Sequence, residues 1–129
     1  MAPELIRPAR VEEVPAVLSL WGGSRSPHAV TEDTVERVAA AVGAGALLVA
    51  EVGGELVGTL IAGFDGWRGN MYRLAVADAW RRRGVGRRLV EAGEARLRSL
   101  GAPRVTALVA FDDASARAFW RASVTRPTR

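Results

Sequence analysis

Apolar positions change their period several times along the chain, and each change marks an element. Leu5-Ile6-Arg7, followed by Pro8, reads as a short opening strand. Val14, Val17, Leu18 and Trp21 then recur at i, i+3, i+4 and i+7, which is one face of a helix. Glu12 and Glu13 suit the positive end of that helix. Pro15 is tolerated there only in the first turn, where an N–H has no helical partner. Residues 22–27 have the composition of a loop. A second helix is predicted after Thr31, with Asp33 and Glu36 spaced as a capping box. Its buried face is expected to be Val35, Val38 and Val42, and the glycines at 43 and 45 end it.

Two apolar runs, 46–52 and 55–64, are joined by Gly53-Gly54. That is a hairpin signature, because glycine supplies the positive φ that tight hairpin turns demand. Asp65-Gly66-Trp67-Arg68-Gly69 reads as a turn, and 71–77 as another strand. The clearest helix covers 84–100. Val85, Leu89, Gly93, Leu97 and Leu100 line one side, with Arg87–Glu91 and Glu94–Arg98 as outward i, i+4 pairs. Gly101 stops it. A β-rich run over 104–111 and a short helix over 115–121 follow. The order is β-α-α-β-β-β-α-β-α, an α/β (α+β) domain with mixed strand directions. No repeat or linker divides it, so residues 1–129 are expected to form one domain.

Composition narrows the chemistry. The chain has 129 residues, 49% hydrophobic and 25% charged, the balance of an ordinary globular domain. It has no cysteine, which excludes a disulfide framework, a thiol nucleophile and a thiolate metal site. One histidine, His28, forms no metal cluster alone, so no metal site is expected. Met1-Ala2-Pro3-Glu4 lacks the profile of a secretion signal, and no apolar run approaches bilayer length. The cytoplasm is the default expectation, with no membrane partner. Net charge is +4 and every basic residue is Arg. Arg81, Arg82, Arg83, Arg87 and Arg88 cluster, which implies an anionic partner.

That cluster lies in Leu74-Ala75-Val76-Ala77-Asp78-Ala79-Trp80-Arg81-Arg82-Arg83-Gly84-Val85-Gly86-Arg87-Arg88-Leu89, which runs from a strand through a turn into a helix. Such a passage aims successive backbone N–H groups and the positive helix end at one spot. Gly84 and Gly86 let a phosphate approach the backbone. The chemistry suits a pyrophosphate, with arginines for further phosphate charge. A P-loop needs Lys after its last glycine, and the dinucleotide fingerprint needs a third glycine after a first strand. Neither pattern is present.

Here the sequence resembles the GNAT superfamily of acetyltransferases. Arg81-Arg82-Arg83-Gly84-Val85-Gly86 matches its Q/R-x-x-G-x-G/A signature, and Leu74-Ala75-Val76 matches the strand motif before it. Gly58-Thr59 and Asp65-Gly66-Trp67-Arg68-Gly69 look like those of small bacterial members, and the resemblance covers roughly residues 5 to 122. It implies a mostly antiparallel sheet flanked by helices, with acetyl-CoA as cosubstrate. Backbone groups of Leu74, Ala75 and Val76 would bond the pantetheine arm. The amide of Leu74 or Ala75 would polarise the thioester carbonyl. Amides of Arg81, Arg82, Arg83, Gly84, Val85, Gly86, Arg87 and Arg88 would hold the pyrophosphate. An amine would then attack the acetyl group directly. The family's Asn-x-x-Ala-x-x-Phe-Tyr motif is occupied by Asp113-Ala114-Ser115-Ala116-Arg117-Ala118-Phe119-Trp120. Asp113, Ala116 and Trp120 are thereby further coenzyme candidates, although Trp120 replaces a tyrosine that often protonates the departing thiolate. Family members continue with a Gly-aromatic turn and two more strands, absent from the residues after Arg121. The strand over 104–111 is therefore expected at a sheet edge, open to self-association.

Other candidates each carry a plainer reading. Asp65 is a candidate base for an incoming ammonium, or simply builds its turn. Glu51 would act through water, or is solvated charge. Arg87 serves a phosphate or only Glu91, and Arg88 a phosphate or only solvent. His28, Trp21 and Trp67 line an acceptor site or cover surface and core edges. Tyr72 shares strand parity with Leu74 and Val76, which points to core packing beside them. The leading expectation is acetyl transfer to a primary amine, on a small molecule or a protein N-terminus. The alternatives are a truncated, non-catalytic module that binds coenzyme A or a partner, and a basic nucleic-acid-binding domain. No aromatic stacking ladder supports the last.

Overall fold

In a computed structural model that describes residues 4–24 and 34–107, five strands form one sheet in the order β1-β2-β3-β4-β5. The strands are β1 (Glu4–Pro8), β2 (Leu47–Val52), β3 (Glu55–Phe64), β4 (Gly69–Val76) and β5 (Val105–Ala107). The first four pair antiparallel, and β5 runs parallel to β4. Three helices accompany them: α1 (Val14–Ser24), α2 (Val35–Gly43) and α3 (Val85–Ser99). The expected order holds through its eighth element. Residues 108–111 and the helix expected over 115–121 lie outside the described residues, among which β5 is the last strand of the sheet.

Alternation along β2 shows how the layers form. Leu48 and Ala50 pack into the cluster of Val85, Leu89, Val90 and Leu97 on α3. Leu47 and Val49 pack on the other face, with Val14, Val17 and Trp21 of α1 and Val38 of α2. The sheet is thus covered on both faces, as period-two patterning of an apolar strand requires. Leu89 is fully buried, which is worth roughly 2 kcal/mol in apolar transfer. The Gly53-Gly54 hairpin forms with φ of 59° and 84°. Arg96 fixes the far half of α3, donating to the carbonyls of Ala62 and Ala44 at 3.2 and 3.3 Å.

Several local expectations are corrected. The described cap of α2 is Thr34, whose Oγ1 accepts from the Arg37 N–H at 3.2 Å; Asp33 lies outside the described residues. Val35 is 56% exposed because it opens the helix, where side chains tilt back beyond the first turn. Helix α1 runs on to Ser24, into the stretch read as loop. Strand β4 begins at Gly69, which pairs with Phe64. Leu100 is 44% exposed, since it lies past the last helical turn of α3. Glu94 pairs with Arg98 at 3.4 Å but is buried. The neighbouring Gly93 has no side chain to hold the helix off the sheet. Among the described residues Arg87 and Glu91 form no ion pair.

Candidate functional site

Strand β4 carries an irregularity at the centre of the sheet. Thr59 pairs with Ala75 and Ile61 with Tyr72, so Arg73 and Leu74 together face Leu60. This is a β-bulge, and it breaks side-chain alternation. Met71, Leu74 and Val76 pack on the α3 side, while Tyr72 and Ala75 pack on the α1–α2 side. Tyr72 therefore does not share a face with Leu74 and Val76. The parity expected from sequence is inverted by the one inserted residue.

The bulge has unusual supports. Arg73 has φ of 56°, a left-handed conformation costing a non-glycine residue roughly 1–2 kcal/mol. Its carbonyl accepts from the Thr59 hydroxyl at 3.1 Å, and that hydroxyl accepts from the Trp21 Nε1–H at 2.7 Å. Thr59 is completely buried and Trp21 nearly so. The Arg73 guanidinium lies over the Trp21 ring, 5.2 Å from its centroid. The sequence assigned no role to Thr59 or Arg73. The available signal was a lone hydroxyl inside an otherwise apolar run.

Beyond Val76 the chain turns toward α3. The Ala77 N–H bonds the Val57 carbonyl at 2.8 Å, closing β4, and a short turn of 3-10 helix follows at Asp78–Trp80. Arg81 donates to the Val76 carbonyl and pairs with Asp78, both at 3.3 Å. Arg82 and Gly84 are left-handed, with φ of 63° and 84°. Gly84 caps α3, and the first helical bond runs from the Arg88 N–H to the Gly84 carbonyl at 3.1 Å. The N–H groups of Val85, Gly86 and Arg87 thus have no partner within the helix, as at any helix start.

The five arginines divide by what they touch. Arg81 braces the turn. Arg83 lies over Trp80, 5.0 Å from the ring centroid. Arg88 is held by Glu4 of β1 through both its Nε and its Nη2, the latter at 2.8 Å, and Nη2 also donates to the Arg83 carbonyl at 3.1 Å. Glu4 raises the Arg88 pKa above its ordinary value, which keeps the guanidinium charged. Among the described residues the side chains of Arg82 and Arg87 make no hydrogen bond or ion pair. The expectation for Arg88 as plain solvent-facing charge is corrected: a carboxylate on β1 already holds it.

The other candidates separate from this region. Asp65 is fully exposed, and its Oδ1 accepts from the Arg68 and Trp67 N–H groups at 2.7 and 2.8 Å. Those bonds, the Arg68 one foremost, lower its pKa, whereas a general base needs a pKa raised toward neutrality. The geometry is that of a turn builder. Glu51 is not solvated charge, because Arg7 donates to it at 2.6 Å. Trp67 is 75% exposed on the β3–β4 turn. His28, Asp113, Ala116 and Trp120 lie outside the described residues.

The bulged β4, the left-handed turn and the α3 start follow one another in a sheet of this order, and comparison with known proteins assigns the arrangement to a family. Residues 14–123 match the Acetyltransferase (GNAT) family, to which the chain belongs. An acetyltransferase of Photorhabdus laumondii is 42% identical over 66 residues, 51% of this chain and 46% of that protein. The match thus spans about half the length of that relative. A Mycobacterium tuberculosis protein solved in complex with CoA superposes with a TM-score of 0.72 at 25% identity, covering 89% of this chain and 70% of its own. The N-acetylglutamate synthase of Neisseria gonorrhoeae, solved with coenzyme A and N-acetyl-glutamate, gives a TM-score of 0.80 at 20% identity, covering 95% of this chain and 28% of its own. Among the described residues no helix is long and apolar enough to cross a membrane.

Proposed function

We propose that the chain transfers an acetyl group from acetyl-CoA to a primary amine, by direct attack within a ternary complex. One observation carries the reading: β4 bulges against β3 just before it feeds a helix start. The bulge falls at Arg73 and Leu74, opposite Leu60. The backbone of Leu74, Ala75 and Val76 would take the pantetheine arm, in the manner of an added strand.

The residues present fit the coenzyme. Val85, Gly86 and Arg87 offer helix-start N–H groups to a pyrophosphate, beside Arg82 and Arg87 side chains for further phosphate charge. Acetyl-CoA supplies the activated acyl group. The Leu74 or Ala75 amide would stabilise charge developing on the thioester oxygen. Arg81, Arg83 and Arg88 hold the shape of the turn; the Arg83 N–H belongs to the same cradle, whereas those of Arg81 and Arg88 leave it, because they already donate to the Asp78 and Gly84 carbonyls at 3.3 and 3.1 Å. Asp113, Ala116 and Trp120 complete the coenzyme site on the family resemblance. Asp65 takes no part as base. The acceptor is a small-molecule amine or a protein N-terminus, with no nucleic acid or membrane as partner. A thiol is a good leaving group, with an ordinary pKa of about 8.5, so Trp120 need not act as an acid.

The test is calorimetric titration with coenzyme A, followed by thiol release from acetyl-CoA across a panel of amines. Gly86→Glu should weaken coenzyme binding by more than about tenfold, because a carboxylate then faces the phosphates. Arg88→Ala should cost less than about threefold, because Glu4 already engages that guanidinium. Equal, small losses in both variants would remove the cradle from the account.

A further inference from the structure

The buried hydroxyl of Thr59 has no part in the coenzyme contacts proposed above, yet it joins three elements. It accepts from Trp21 on α1 and donates to the Arg73 carbonyl on β4, while itself belonging to β3. A hydroxyl has one proton to give, so the order is fixed. The indole has only a donor, which obliges Thr59 to be its acceptor. The single hydroxyl proton is then directed at Arg73. That carbonyl belongs to the residue preceding Leu74, whose amide shares a peptide plane with it. Fixing the Arg73 carbonyl therefore fixes the direction of the Leu74 N–H.

We infer that Thr59, oriented by Trp21, is a positioning residue for acetyl transfer: it sets the peptide plane between Arg73 and Leu74 that meets the thioester. The inference rests on the acetyl-transfer reading. Its physical basis is that a left-handed non-glycine residue persists only where its surroundings over-determine it. Here one hydrogen bond below the backbone and one ring beneath the side chain do so. Without the hydroxyl the plane is free to rotate, and an amide displaced by a fraction of an ångström is a poor donor to a developing oxyanion. The pyrophosphate cradle at α3 does not depend on this plane, and Ala75 and Val76 keep their backbone for the pantetheine arm, so most of the coenzyme contacts survive its rotation. Catalysis and coenzyme affinity should therefore separate.

Thr59→Val keeps the shape and removes the hydroxyl, Thr59→Ser restores it, and Trp21→Phe removes only the orienting donor. Turnover is followed by thiol release from acetyl-CoA, with a polyamine, an aminoglycoside, free amino acids and a short peptide as acceptors. Amide hydrogen exchange is measured alongside without substrate. Thr59→Val should lower kcat by about tenfold to a hundredfold, the range that misplacement of a reacting group produces, while coenzyme A affinity stays within about threefold. Exchange at Leu74 and Ala75 should quicken while Leu89 in α3 is unchanged. Thr59→Ser should recover both properties, and Trp21→Phe should fall between. Undiminished kcat in Thr59→Val, equal losses in kcat and coenzyme affinity, or unaltered exchange at Leu74 would overturn the assignment. So would failure of serine to rescue. If the wild-type chain binds coenzyme A but turns over no amine, the acetyl-transfer reading fails, and the exchange data alone decide whether Thr59 sets the plane.

Discussion

Arg73 and Arg82 both hold left-handed backbone, with φ of 56° and 63°, and the molecule supports them in opposite ways. Arg73 sits mid-sheet, its carbonyl held by a fully buried hydroxyl and its guanidinium over an almost fully buried indole. Arg82 sits in an exposed turn, two residues before a glycine that shares its handedness, and its side chain has no partner among the described residues. The bulge is shaped from outside, by α1 and β3. The turn is shaped largely from within, by its own glycine and by Arg81 reaching back to Val76. A backbone shape at a site can thus be encoded by the segment itself or by its neighbours in space. Only the first kind is visible to a reader of sequence.

The largest effect would strike both regions together. A Cβ at Gly93 would lie 2.7 Å from Leu60 Cδ2 and 3.1 Å from Met71 Sδ, so these two fully buried side chains would have to repack between α3 and the sheet. Gly93→Ala should cost about 1–3 kcal/mol, offset only in part by helix propensity, and chemical denaturation measures it. An unchanged midpoint would mean that the helix seats more loosely than these contacts require.

A smaller and more discriminating effect compares Arg73→Gly with Arg82→Gly. Both relieve left-handed strain, but only the first gives up a ring contact. Arg82→Gly should be the more stable of the two by about 1 kcal/mol, the size of such a contact, in thermal melts at matched pH. Equal stabilities would show that the Trp21 ring does not hold the bulge.

The smallest effect belongs to neither region and serves as a control. Arg7 of β1 pairs with Glu13 at 2.7 Å and Glu51 at 2.6 Å. The Arg7 hydrogen bond, aided by the Arg10 N–H, lowers the Glu13 pKa from 4.5 to about 2. A depressed folded pKa stabilises above the unfolded value, and that contribution is lost as pH falls from about 4.5 toward about 2. Glu13→Gln should flatten this part of the stability–pH curve and leave coenzyme affinity at neutral pH unchanged. A curve as steep as the wild type would assign the acid sensitivity to other carboxylates.

Sequence alone determined the element order through the first eight elements, the glycine hairpin and the strand-turn-helix passage with its arginines. These features depend on neighbours a few residues apart: alternation, a 3.6-residue stripe, and glycines where φ must be positive. The same locality let Arg81 through Arg88 be read as a segment suited to a phosphate. Tertiary structure decided what those arginines do. Arg88 meets Glu4 only because β1 comes within reach of the α3 start, across 84 residues of sequence. Pairing across β3 and β4 likewise decided the bulge. One extra residue on β4 reversed the face of Tyr72 relative to Leu74, and no periodicity within that strand announces such an insertion. The Thr59 hydroxyl was visible as a polar residue in an apolar run, but its partners were not. Trp21 lies 38 residues away and Arg73 lies 14, and only the packing of α1 against the sheet brings the three together.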